Sequence, residues 1–152
     1  MADLTGKVAL VTGGSRGIGE AICVSLADAG AAVAVNYLSR QADAERVVAG
    51  ITAAGGKAVA VQGDVSRSAD VSAMVKAVEG RLGAIDILVN NAGIGILKPV
   101  EALSEADFDR TIAVNLKSAF LCTQAVLPGM RARTWGRIVN ISSGAARGAG
   151  GI

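Results

Sequence analysis

The sequence contains no histidine, which excludes every nucleophile activated by an imidazole and every His-ligated metal centre. Any proton chemistry must use other groups. Two prolines and 3% aromatic residues leave the core to Val, Ile, Leu and Ala, and leave little on which a nucleic-acid base could stack. Only two cysteines occur, Cys23 and Cys122, far apart in apolar surroundings and without a Cys-x-x-Cys pairing. They read as reduced, buried thiols in a cytoplasmic compartment rather than a disulfide or zinc ligands. Asp3 precedes any apolar run, unlike the basic start of a secretory leader. The longest uncharged stretch, Ser118 to Met130, falls short of the ~20 residues a membrane helix needs, so a soluble protein is expected.

What is present fits a single domain over residues 1–152. Half of the side chains (51%) are hydrophobic and only 18% are charged, enough apolar surface for a core without staples. The 20 glycines suit helices packed closely on buried parallel strands. Net charge is +2 with both signs interleaved, which gives nucleic-acid binding no support. The charges are uneven along the chain, since every acidic residue lies before residue 110 while residues 110–152 hold six basic ones. A block lacking its counter-charges fits a domain that has been cut short.

Lys7 to Val11 reads as a strand ending at a glycine loop, and the helix from Gly17 places Ile18, Ile22 and Leu26 on one face. A second strand spans Ala32 to Tyr37, after which Ser39 can cap a helix bearing Ala44, Val47, Val48 and Ile51. A third strand, Ala58 to Gln62, leads to a helix with Val71, Val75, Val78 and Leu82. The fourth, Ile85 to Val89, ends at Asn90-Asn91-Ala92-Gly93. Two helices, Ser104 to Ile112 and Leu116 to Arg131, precede a fifth strand at Arg137 to Ile141. Strands alternating with such helices specify an α/β fold, a doubly wound parallel sheet of Rossmann type with five strands. Ligands of such sheets bind outside the carboxyl ends of the strands, where the winding reverses. Gly144 to Ile152 reads as a loose glycine-rich tail.

The loop Thr12-Gly13-Gly14-Ser15-Arg16-Gly17-Ile18-Gly19 joins a strand to a helix, the setting a dinucleotide pyrophosphate requires. Gly13 permits the tight turn, Gly17 lets the phosphates approach the positive helix end, and Gly19 lets helix and strand pack closely. An NAD site usually places an acid about 20 residues further on, for the ribose hydroxyls. Here the second strand ends Asn36-Tyr37-Leu38-Ser39-Arg40, so Arg16 and the Ser39 hydroxyl are expected to meet a 2′-phosphate, and NADP(H) is expected over NAD(H). Arg40 reads equally as a solvated helix-start residue. The same missing acid argues against a methyltransferase with a similar glycine loop.

The motifs at Thr12 to Gly19, Asp64, Asn90 to Gly93, Asn115 and Ile141-Ser142-Ser143 stand in the order found in short-chain dehydrogenases/reductases, a family this sequence resembles along its whole length. Val35-Asn36-Tyr37 and the Arg16 loop look most like the NADPH-dependent 3-oxoacyl-[acyl-carrier-protein] reductases. The resemblance implies an NADP(H)-dependent oxidoreductase. It would move hydride between nicotinamide and a small-molecule or acyl-carrier-bound carbonyl, working as a homo-oligomer without metal, nucleic acid or membrane. It implies that Gly13, Ser15, Arg16, Gly17, Ile18 and Gly19 meet the phosphates and ribose, and that Asp64 and Val65 read adenine. Asp64 could equally cap the helix near Ser68. Asn91, Ala92 and Gly93 resemble the segment beside the nicotinamide ribose, although that string alone could be a turn. Asn115 resembles a helix-kinking asparagine whose backbone carbonyl holds a water in a proton relay. Ser143, rather than Ser142, resembles the donor to the substrate carbonyl oxygen, where negative charge develops as hydride arrives.

One part of the family pattern is missing. Its acid is a tyrosine with a lysine four residues on, about a dozen residues past the serine. The only tyrosine here is Tyr37, with Gln41 at the lysine position. The expectation is a chain that stops before this motif and before the last strands. That leaves strand Arg137 to Ile141 as a sheet edge, with apolar faces uncovered and prone to association. The alternative is a mature, noncatalytic dinucleotide-binding module or pseudoenzyme completed by a partner chain.

Overall fold

The computed structural model describes residues 3–144. Five parallel strands, β1 (Val8–Val11), β2 (Ala32–Tyr37), β3 (Lys57–Gln62), β4 (Ile87–Asn90) and β5 (Arg137–Asn140), form one sheet in the order β3-β2-β1-β4-β5. The doubly wound fold read from the sequence is the fold observed. Five α-helices connect the strands: α1 (Gly17–Asp28), α2 (Gln41–Ala53), α3 (Ser68–Leu82), α4 (Glu105–Ile112) and α5 (Ser118–Ala132).

Side chains alternate across β1, so Val8 and Leu10 face one layer while Ala9 and Val11 face the other. The first layer holds Val71, Met74, Val75 and Val78 of α3 with Cys122, Val126 and Met130 of α5. The second holds Cys23 of α1 with Ala44, Val47 and Ile51 of α2. Both cysteines are free and buried, and burial pushes each thiol up to about 12, so neither is a ready thiolate. Among the described residues no helix is long and apolar enough to cross a membrane.

Three local readings differ. Ile18 is 66% exposed, because α1 turns Gly19 and Cys23 toward the sheet and leaves Ile18 at the loop mouth. Ser39 does not cap α2: the helix starts at Gln41, its N-cap is Arg40, and no side-chain capping bond closes the first turn. The two helices around Asn115 are one continuous rod, joined by a π-helical turn at Ala113–Lys117 rather than by a break. In that turn the Ser118 amide donates to the Ala113 carbonyl five residues back, and the Ser118 hydroxyl donates to the Val114 carbonyl. At the sheet edge β5 leaves Val139 46% exposed, as the edge reading expects. From residue 145 the glycine-rich tail lies outside the described residues.

Candidate functional site

The winding reverses between β1 and β4, so the loops that follow these two strands lie side by side at their carboxyl ends. Side-chain amides and one hydroxyl knit them together. The Thr12 hydroxyl oxygen accepts from the Asn91 and Ala92 amides, each at 3.0 Å. Asn91 Nδ2 donates back to the carbonyls of Thr12 at 2.9 Å and Gly13 at 3.2 Å. From the other side, buried Asn36 accepts from the Gly13 amide through Oδ1 at 3.1 Å and donates through Nδ2 to the Gly63 carbonyl at 3.1 Å. Its own carbonyl accepts from the Gly14 amide at 2.9 Å. Asn36 therefore ties the ends of β1, β2 and β3 to one another.

Glycines of this loop are required for different reasons. Gly13 has φ +63°, and a Cβ there would sit 3.0 Å from Ala92 Cα. At Gly19 a Cβ would collide with the Gly13 carbonyl oxygen, so helix and loop touch backbone to backbone. Gly17 is held by its backbone alone: φ is +56°, while a Cβ there would meet nothing within 4 Å, and the space it faces is open.

That space belongs to a cleft of about 450 Å³. Every residue the sequence assigned to cofactor binding lines it: Gly13, Ser15, Arg16, Gly17, Ile18, Gly19, Asn36, Tyr37, Ser39, Asp64, Val65, Asn91, Ala92 and Gly93. Arg16 is exposed at the rim and makes no side-chain hydrogen bond or ion pair among the described residues. Arg40 also lines the cleft but is paired with Asp43 at 3.1 Å. A larger hollow of about 770 Å³ lies at the amino ends of β1 to β3, beside Lys7, Asp28 and Lys57, and shares no residue with the cleft.

Asp64 is largely buried at the end of β3. Burial pushes its carboxyl up, but hydrogen bonds from the Ser66 hydroxyl and amide and the nearby Arg110 and Arg67 guanidiniums outweigh it, holding the group below its ordinary value. It bonds Ser66 at 2.6 and 2.9 Å and does not reach the first turn of α3, which has no side-chain cap. Arg110 and Val114, one turn apart along the rod from α4, complete the wall. Sequence reasoning missed both, since nothing in the primary pattern brings α4 to the end of β3.

The two residues assigned to catalysis stand apart from the cleft lining. Asn115 clasps the chain after β4, accepting from the Ile94 amide at 2.8 Å and donating to the Ile94 carbonyl at 2.9 Å. Ser143 is exposed three residues past Asn140, whose Oδ1 accepts from Asn90 Nδ2 at 2.8 Å. The helix carrying Arg110 begins with a capping box between Ser104 and Asp107. Hydrogen bonding from Lys98 and Ser104 holds the Asp107 carboxyl down at about 2. The folded value lies below the unfolded one, so this contribution is present above the ordinary carboxylate range and is lost only as pH falls toward 2.

Known proteins share this fold and much of this sequence. Residues 7–151 match the short chain dehydrogenase family. The chain is 47% identical over 143 residues to an uncharacterized oxidoreductase of Methylorubrum extorquens, covering 94% of this chain and 57% of that protein. It is 44% identical over 143 residues to a 3-oxoacyl-[acyl-carrier-protein] reductase of Synechocystis, covering 94% and 58%. A metagenomic short-chain oxidoreductase solved in complex with NADP superposes with a TM-score of 0.90 at 40% identity, over 99% of this chain and 67% of that one. The protein belongs to the short-chain dehydrogenase/reductase family, and its chain spans somewhat more than half the length of these curated relatives.

Asn36 gives the site its most direct stability test. Asn36→Leu strands the Gly13 amide and the Gly63 carbonyl without their partners and is expected to cost about 3 kcal/mol, read as a lowered urea midpoint. A loss under about 1 kcal/mol would mean that the amide does not tie the strand ends.

Proposed function

We propose that residues 1–152 form the dinucleotide-binding domain of an NADP(H)-dependent oxidoreductase that reduces a carbonyl, such as a 3-oxoacyl thioester, to the alcohol. The observation that carries this reading is the cleft at the reversal of the sheet, with open space in front of Gly17 at the start of α1 and an uncommitted guanidinium, Arg16, at its rim. The residues present fit a nicotinamide dinucleotide. The start of α1 offers amides and the positive end of the helix to a pyrophosphate, and no side chain fills the approach. When bound, the nicotinamide supplies or accepts hydride.

The chain's own residues bind and orient. Gly13, Ser15, Gly17, Ile18 and Gly19 shape the phosphate and ribose seat, with Asn36 fixing the loop beneath it. Arg16 takes the 2′-phosphate, joined by Ser39 and the Tyr37 strand end, while Arg40 is already neutralised by Asp43. Asp64 and Val65 face the adenine, and Asn91, Ala92 and Gly93 flank the nicotinamide ribose. Asn115 holds the chain after β4 in place through Ile94, and its backbone carbonyl keeps the relay-water role. Ser143 donates to the substrate oxygen as charge develops there. Residues 1–152 contain no Tyr-x-x-x-Lys pair.

The cofactor preference is tested by titrating the protein and its Arg16→Ala variant with NADPH and NADH. Loss of a charge-assisted contact to phosphate is expected to weaken NADPH by about tenfold or more and leave NADH nearly unchanged. An unaltered NADPH-to-NADH affinity ratio would remove Arg16 from the assignment.

The family resemblance also carries a homo-oligomer. Phe108, Ile112, Leu116 and Phe120 recur every four residues along the α4–α5 rod and are 63%, 40%, 65% and 61% exposed, a stripe suited to a second copy. Sedimentation is expected to show self-association that Phe120→Glu weakens; a monomer at high concentration would contradict it.

A further inference from the structure

Arg110 has no place in the binding scheme above, yet it stands inside the cleft. It projects from α4 and brings its Nη1 to 3.8 Å from Asp64 Oδ2, on the loop after β3, 46 residues earlier in the chain. That distance is an ion pair without a hydrogen bond, so it attracts Oδ2 and leaves its lone pairs available. Asp64 Oδ1 is already engaged by the Ser66 amide at 2.9 Å and the Ser66 hydroxyl at 2.6 Å. The Asp64 backbone is anchored too, its amide donating to Asp70 Oδ2 at 3.2 Å. What remains adjustable in Asp64 is the direction of one oxygen.

We propose that Arg110 is a positioning residue for base recognition: drawn across the cleft from α4, its guanidinium holds Asp64 Oδ2 where the exocyclic amine of adenine can donate to it. This rests on the dinucleotide reading and adds to it the device that sets base specificity. The geometry suits the task because α4 is itself held rigidly. Its first turn is closed by the Ser104–Asp107 capping box and by Lys98 on Asp107 at 2.7 Å, and the rod beyond it is clasped to Ile94 by Asn115. Val114, buried one turn beyond Arg110, lines the same wall and gives the base an apolar surface beside the charged pair. The Asp64 side chain is 16% exposed and that of Arg110 47%, so the carboxylate is sheltered by the cleft wall while the guanidinium reaches it from the solvent side.

Calorimetric titration with NADP⁺ and with 1,N6-etheno-NADP⁺, in which the exocyclic amine has lost its hydrogens, tests the proposal on the 152-residue chain. The unmodified protein is expected to bind the etheno analogue about tenfold more weakly than NADP⁺. Arg110→Met is expected to weaken NADP⁺ by about three- to tenfold and to narrow the gap between the two ligands, while Arg110→Lys retains part of it. In an Asp64→Asn background Arg110→Met should cost nothing further, because it acts through Asp64. A purely structural tie between α4 and the β3 loop would lower the melting temperature and leave the gap intact. An unchanged gap, or losses that add in the double variant, would overturn the proposal. Failure of the unmodified protein to bind either ligand would overturn the dinucleotide reading itself, and this inference with it.

Discussion

The fold depends on one constraint: β1 is bonded to a parallel neighbour on each edge and buried on each face. Four residues, Val-Ala-Leu-Val, satisfy it, because small and branched side chains fill both layers and the backbone bonds leave no polar group to water. Once β1 is central, the chain must wind outward from it in both directions. The first excursion, through β2 and β3, goes one way; the return through β4 and β5 goes the other. The crevice at the carboxyl end of β1 and β4 is a consequence of this topology rather than an addition to it.

Side-chain amides then set the shape of that crevice. Asn36 and Asn115 each set a donor and an acceptor against backbone in fixed geometry, and Asn91 sets its donor against two carbonyls. Asn36 ties the first three strand ends, Asn91 joins the loops on either side of the reversal, and Asn115 fastens the segment after β4 to the helical rod. The bonds of Asn36 and Asn91 are partly buried; each adds little beyond what water would give, but an unmatched partner there costs about 1–3 kcal/mol. The loops are therefore held in register mainly by the penalty for leaving it. A preorganised cleft of this kind spares a ligand the ordering cost of its walls.

Much of this is written in the sequence. The strand, the glycine loop and the helix after it are local signals, and the apolar faces of α2 and α3 follow from spacing alone. The residues assigned to the cleft converge there because they lie at the carboxyl ends of strands or on the loops and helix start that follow, where the topology collects them. The exceptions are tertiary. Ile18 looks like a core residue by period, yet the backbone contact between Gly19 and Gly13 rotates α1 so that Ile18 points outward. The π-helical turn at Ala113–Lys117 leaves no trace in hydrophobic spacing beyond an asparagine in mid-helix. Arg110 carries no local mark, because its partner lies on another layer of the molecule. Ser39 failed as a cap through a shift of one residue in the helix start, the scale at which helix boundaries are least legible.

On the proposed function, the cleft at the β1–β4 reversal, and not the larger hollow at the opposite end of the sheet, receives a nicotinamide dinucleotide. Backbone amide NMR spectra recorded during addition of NADPH test it most directly. The shifts are expected to concentrate at Gly13, Ser15, Gly17, Asp64 and Gly93, with Gly30, Gly55 and Lys57 unmoved. Shifts gathered around Gly30, Gly55 and Lys57, or none at saturating ligand, would contradict it.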